Sequence, residues 1–138
     1  MAVVEELLRT EESGTISFGN YKLETKAKLE NYEHGGDLYK VKTYKELTKL
    51  EKNGMFAYES QPGTSVIDFK ETEDGVTFTV EADEDTQITV GLEEDTEYSV
   101  TVGDTYIGKM KTNLSGKLSI SVELEHAGEI AVKIVKNG

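Results

Sequence analysis

The sequence predicts an all-β protein, an antiparallel β-sandwich of Ig-like or jelly-roll-like type with an additional N-terminal β-rich segment. Three observations predict it. Apolar residues alternate with polar ones at period two over most of the chain. The runs are short and come every 8–12 residues, as in sandwiches. Gly, Asp and Asn stand between them. The clearest stretch is Glu97 to Leu124. Tyr98, Val100 and Val102 alternate with Ser99 and Thr101, and Leu118, Ile120, Val122 and Leu124 alternate with Ser119, Ser121 and Glu123. Period two puts the apolar set on one face of a strand and the hydroxyls on the other. The apolar set is expected to line the core wall of one sheet layer.

Residues 2–8 mix apolar and acidic positions in a run too short for an independent helix. They read as a strand or a short docked segment. Thr15 to Phe18 is a short β run, and Gly19-Asn20 is a hairpin-type dipeptide. Tyr21, Leu23, Thr25, Ala27 and Leu29 then alternate with Lys22, Glu24, Lys26, Lys28 and Glu30, which predicts a strand over 21–30. Glu33 to Asp37 is a loop, and Leu38 to Tyr44 a strand. Leu47 and Leu50 fit a helical turn, but Asn53-Gly54 follows and Met55 to Tyr58 resumes an apolar run, so a hairpin is favoured. Gln61-Pro62-Gly63 is a turn carrying the only proline. Strands are then expected at 64–70, 75–81, 86–92, 97–102, 105–111, 117–124 and 129–135. The organisation read from this is an N-terminal β-rich segment or small sheet at 1–61 and a β-sandwich domain at 62–138.

The chain has 138 residues, of which 36% are hydrophobic, enough for a thin core. It carries 27 acids and 15 bases, a net charge of -12. Nucleic acid and anionic membrane are held largely by Lys and Arg, so neither is expected as a partner. The charge is uneven, with 16 acids against 6 bases in residues 61–138 and 11 against 9 before them. The absence of cysteine excludes disulfides, thiolate metal sites and Cys nucleophiles. No run of 18 apolar residues and no basic-then-apolar leader is present, so a cytoplasmic location is expected.

No constellation of reactive residues stands out. Glu81, Asp83, Glu84 and Asp85 form one acidic cluster and Glu93, Glu94, Asp95 and Glu97 another. Such loops could offer oxygen ligands to calcium, but neither has the EF-hand spacing, and charged turns are ordinary surface. His34 and His126 lie far apart without local partners. No serine sits in a Gly-x-Ser-x-Gly elbow, and 27 acids leave paired carboxylates unconstrained. No catalytic residue, cofactor or metal is therefore assigned. Five tyrosines, Tyr21, Tyr32, Tyr39, Tyr44 and Tyr58, lie in the first 60 residues. They could fill a small N-terminal core, form an interface or stack sugars. Ser99, Thr101, Ser119 and Ser121 are expected to form a hydroxyl-rich face within the acidic half. These nine residues are the candidate interface.

EESGTISFGNYKL and GDLYKVKTYKELTKLEKNGMFAYESQPGT resemble a family of small bacterial proteins often labelled "endosialidase". That label implies a sialidase activity. Sialidases clamp the substrate carboxylate with several arginines, and this chain has only Arg9. No sialidase residue carries over. LEEDTEYSVTVGDTYIGKMKTNLSGKLSISVELEHAGEIAVKIV is similar to the C-terminal accessory β-sandwich of many polysaccharide-acting enzymes. That resemblance implies a fold and no active site. The expected function is a non-catalytic structural or scaffold protein that self-associates into a homo-oligomer or larger assembly. The alternative is a carbohydrate-binding accessory module whose partner is a glycan.

Overall fold

The computed structural model describes residues 3–136; Met1, Ala2, Asn137 and Gly138 lie outside them, including the first residue of the 2–8 segment. Thirteen strands follow in chain order: β1 (Leu8–Thr10), β2 (Ile16–Phe18), β3 (Ala27–His34), β4 (Asp37–Tyr44), β5 (Leu47–Lys52), β6 (Met55–Gln61), β7 (Ser65–Thr72), β8 (Gly75–Glu81), β9 (Thr86–Gly91), β10 (Glu97–Val102), β11 (Thr105–Lys111), β12 (Lys117–Val122) and β13 (Glu129–Lys136). They form two antiparallel sheets. The first runs β1-β2-β7-β8-β13-β10-β11 and the second β12-β9-β6-β5-β4-β3. Both sheets draw strands from either side of residue 62, joined by the β2–β7 and β6–β9 ladders.

The sheets pack face to face through an aromatic centre. Tyr58 of the second sheet meets Phe18 and Phe78 of the first edge-on, at centroid distances of 5.2 and 5.6 Å. Phe69 completes the cluster, 5.4 Å from Phe18. Val41, Leu50, Ile88 and Val90 of the second sheet and Val66, Val80, Val100 and Ile134 of the first surround it, all buried. Apolar burial on this scale is the main force holding two sheets together.

The alternation at 97–124 is real, but it spans both layers. β10 and β11 belong to the first sheet and β12 to the second, so Tyr98 and Val100 face Leu118, Ile120 and Val122 from opposite walls. Period two reports which face of a strand is buried and carries no information about which sheet the strand joins.

The Asn53-Gly54 hairpin forms between β5 and β6, with both residues at positive φ (53° and 79°) as a tight primed turn requires. The expected strand over 21–30 is shorter: β3 begins only at Ala27. The Asn20 side chain accepts the Lys22 N–H at 3.0 Å, and Lys45 N–H donates to the Leu23 carbonyl at 2.9 Å. The backbone of 20–25 is therefore spent on turns and loop contacts. Gly19-Asn20 closes no hairpin either. Gly19 has φ +98°, lies against the Thr64 carbonyl where a Cβ would stand only 2.4 Å away, and accepts the Val4 N–H at 3.0 Å. That contact docks the N-terminal segment and buries Val4.

At the other end of that segment, Arg9 donates to Glu11 at 2.8 Å and the Ser17 hydroxyl donates to the same carboxylate. The Ser17 bond first, and then Arg9, hold the Glu11 carboxyl below its ordinary value of 4.5. A carboxyl lowered in the folded state adds stability that is complete above the unfolded value and is lost as pH falls through the folded one. Replacing Glu11 by Gln is expected to flatten the acid-side slope of stability. Urea unfolding between about pH 6 and about pH 3 should show wild type and E11Q converging as pH falls.

Candidate functional site

The candidate interface residues do not form one surface. Tyr58 is wholly enclosed, and Tyr21 and Tyr39 turn their rings into the core. Tyr32 is half-buried and its hydroxyl bonds Thr10 at 2.9 Å. Tyr44 is half-buried with the Lys26 ammonium 5.7 Å from its ring centre. These five supply no shared exposed ring platform. Ser99 and Thr101 lie on the outer face of the first sheet, while Ser119 and Ser121 lie on the outer face of the second, so the four hydroxyls make two patches.

His34 is bound on both ring nitrogens, Nδ1 to Thr10 Oγ1 and Nε2 to the Gly14 carbonyl, both at 3.1 Å. It pins the β1–β2 turn to β3. Among the described residues no group of three or more His, Cys, Asp or Glu could hold a metal ion. Asp85, in the first acidic cluster, instead accepts the Leu124 and Glu125 N–H groups at 2.9 and 3.0 Å. Among the described residues no helix is long and apolar enough to cross a membrane.

A cleft between the 20–25 and 60–63 turns gathers ionisable groups. It holds about 270 Å³ and is lined by Tyr21, Lys22, Glu24, Lys45, Pro62, Gly63, Asp83 and Glu84. At its floor the Tyr21 hydroxyl donates to the buried Glu81 carboxylate at 3.0 Å. Burial first, and then that bond, push the phenol well above its ordinary value. A phenol held so firmly protonated is a poor base and a poor nucleophile. At the rim Lys22 pairs with Asp83 at 3.1 Å and Lys45 with Glu24 at 2.9 Å. Two ion pairs across its rim and the Tyr21–Glu81 bond at its floor tie loops together.

Beside it lies a buried hydroxyl network that sequence reading missed. The Thr48 hydroxyl donates to the Thr64 carbonyl (2.8 Å), accepts the Thr64 N–H (3.0 Å) and bonds Thr43 Oγ1 (2.8 Å). Thr43 accepts the Asn20 N–H at 2.8 Å, and Thr64 Oγ1 bonds Tyr58 and Ser60 at 2.8 and 2.9 Å. The alternation puts Thr43 on the face of Tyr39 and Val41, but nothing in the pattern links it to Thr48 or Thr64. The network locks the 60–65 crossover, where the chain leaves the second sheet for the first.

The least ordinary surface is the outer face of the second sheet. Val41, Thr43, Thr48 and Leu50 point inward and are fully buried, so Lys42 and Lys49 between them point out. The register places Lys28 opposite Lys42 and Lys42 opposite Lys49. Three lysines thus stand in one cross-strand row, which Glu59 continues opposite Lys49. Lys40 extends the face one pleat along β4, opposite Glu51. Lys28 and Lys49 have acidic neighbours on their own strands, Glu30 at 3.5 Å and Glu51 at 3.6 Å. Lys42 has a lysine on either side. Like charges directly opposite on neighbouring strands are destabilising. The acids of the second half lie elsewhere, six of the 16 in the β8–β9 loop (Asp83 to Asp85) and the β9–β10 loop (Glu93 to Asp95).

Fold and surface together define an all-β antiparallel sandwich whose second sheet carries a cross-strand lysine row on its outer face. Compared with protein-family models, curated proteins and solved structures, the chain matches none.

Proposed function

We propose that this is a non-catalytic structural β-protein that self-associates, the lysine face of one copy meeting the acidic surface of another. The observation that carries the reading is the Lys28–Lys42–Lys49 row. Such a row disfavours the isolated chain. Opposed to carboxylates its repulsion becomes attraction, and complementary patches also set register and orientation. In a chain of net charge -12, a second copy is itself an acidic partner.

The test is charge reversal in two variants of equal net charge, each shifted by three Lys-to-Glu changes from the wild-type -12. The variant K28E/K42E/K49E is compared with K70E/K109E/K133E, which reverses three lysines on strands of the other sheet. Sedimentation velocity at about 0.05 M salt, where the Debye length exceeds about 10 Å, is expected to show weakened association for the first variant and nearly wild-type association for the second. Equal behaviour of the two variants would remove the lysine face from the interface.

A further inference from the structure

We infer that β12 is a self-complementary edge, and that two copies join through antiparallel β12–β12 pairing about a twofold axis at Ile120. This rests on the self-association reading and names one contact within it.

An exposed edge strand is a template for pairing, and proteins blunt such edges with bulges, charges or brevity. Three of the four edges here are blunted. β1 has only three residues. β3 carries Lys28, Glu30 and Glu33 and is bulged between Leu29 and Tyr32, with Asn31 at φ 57°. β11 is bulged against β10 and carries Lys109 and Lys111. β12 has none of these devices. It pairs with β9 in unbroken register from Lys117 to Val122, and only serines point outward between its ends.

The polarity of its free side is fixed by the ladder. Leu92 N–H donates to the Gly116 carbonyl at 2.7 Å, continuing the β9–β12 register, so even-numbered residues of β12 bond β9. The N–H and C=O groups of the odd-numbered residues point away. Lys117 bears this out, since its N–H and carbonyl are both taken by Asn113 at that side. The backbone groups of Ser119 and Ser121 face the open edge, with no strand beyond them.

Reversed on itself, the strand reads Lys117-Leu118-Ser119-Ile120-Ser121-Val122-Glu123 against Glu123-Val122-Ser121-Ile120-Ser119-Leu118-Lys117. With Ile120 on the axis, Leu118 opposes Val122, and Ser119 opposes Ser121 in pairs whose backbone groups already point at each other. At each end Lys117, whose ammonium lies 4.6 Å from the Phe56 ring centre in the single chain, turns to meet Glu123 of the second copy. The ladder runs from Leu118 to Val122 and stops where Asn113 folds back on Lys117. The contact is isologous and closed, so it yields a dimer joined into one continuous sheet.

The test uses four variants of the full chain in sedimentation equilibrium. Ser121→Pro removes an N–H from the open edge and none from the β9 ladder, and is expected to weaken dimerisation at least about tenfold. K117E and E123K each place like charges at both ends and are expected to weaken it about tenfold, while K117E/E123K restores it. Should S121P not fold, S119C/S121C in this cysteine-free chain supplies the second readout: oxidation yields a covalent dimer. If wild type associates while S121P and both charge reversals dimerise as wild type does, or if the double reversal is no better than the singles, the β12 pairing is wrong and self-association stands. A strictly monomeric wild type overturns both.

Discussion

Replacing Tyr58 by alanine is expected to destabilise the protein by about 3–5 kcal/mol, the range for truncating a large aromatic in a packed core. Tyr58 is fully buried and its ring meets Phe18, Phe69 and Phe78 edge-on, so it touches both layers of the sandwich. Truncation removes its apolar contacts with both layers and leaves a void that a β-sandwich cannot close without moving a strand. Domains of this size are stable by only about 5–15 kcal/mol, so Y58A should lose much of that margin. Tyr58→Phe separates ring from hydroxyl. It gives up the 2.8 Å bond to Thr64, whose hydroxyl keeps Ser60 as a partner, and is expected to cost about 1 kcal/mol. Urea unfolding followed by tyrosine fluorescence or far-UV dichroism checks both. Similar losses for Y58A and Y58F would mean that the ring is not the centre of the core.

The second large effect comes from a substitution that changes almost no volume. Thr48→Val keeps the shape and removes the hydroxyl that both receives the Thr64 N–H and donates to the Thr64 carbonyl. Two buried backbone groups lose their partner at once, each at about 1–3 kcal/mol. The expected loss is about 3 kcal/mol, against about 1 kcal/mol for Thr48→Ser, which keeps the bonds and drops a methyl. Thr43 also loses its acceptor, since its hydroxyl is 2.8 Å from Thr48. If the valine variant proves no less stable than the serine variant, the buried network contributes little and the 60–65 crossover is held by packing alone.

Much of the architecture was legible from residue pattern. The seven strands from residue 65 onward fall where alternation and turn residues put them, because all but β11, which has no buried residue, have one buried face and a more polar outer one. Asn53-Gly54 was readable because a two-residue primed turn demands positive φ, which those residues tolerate. Residues 21–26 misled for a definite reason. Their alternation is genuine, and Tyr21 is buried. Yet the side chains of Asn20 and Thr43 capture backbone groups that a strand would have used. Side chain to backbone bonds of this kind compete with ladders and leave no mark on hydropathy.

The surfaces were less legible than the core. A tyrosine is equally at home in a core and at an interface, so composition alone could not place Tyr39 or Tyr58. The lysine face had a signal: eight of the 15 basic residues lie between Lys22 and Lys52. Its meaning needed the register, which alone puts Lys28, Lys42 and Lys49 side by side. The same holds for β12. Its near-palindrome is visible in the sequence, but it acquires a role only once β12 is an edge with β9 on one side and no strand on the other.

The central claim is that the chain associates with itself, and the mass of the wild-type protein in solution tests it most directly. Sedimentation velocity over a range of concentrations should show a weight-average mass that starts near 15.3 kDa and rises with concentration. A single 15.3 kDa species at the highest concentration reached would contradict it.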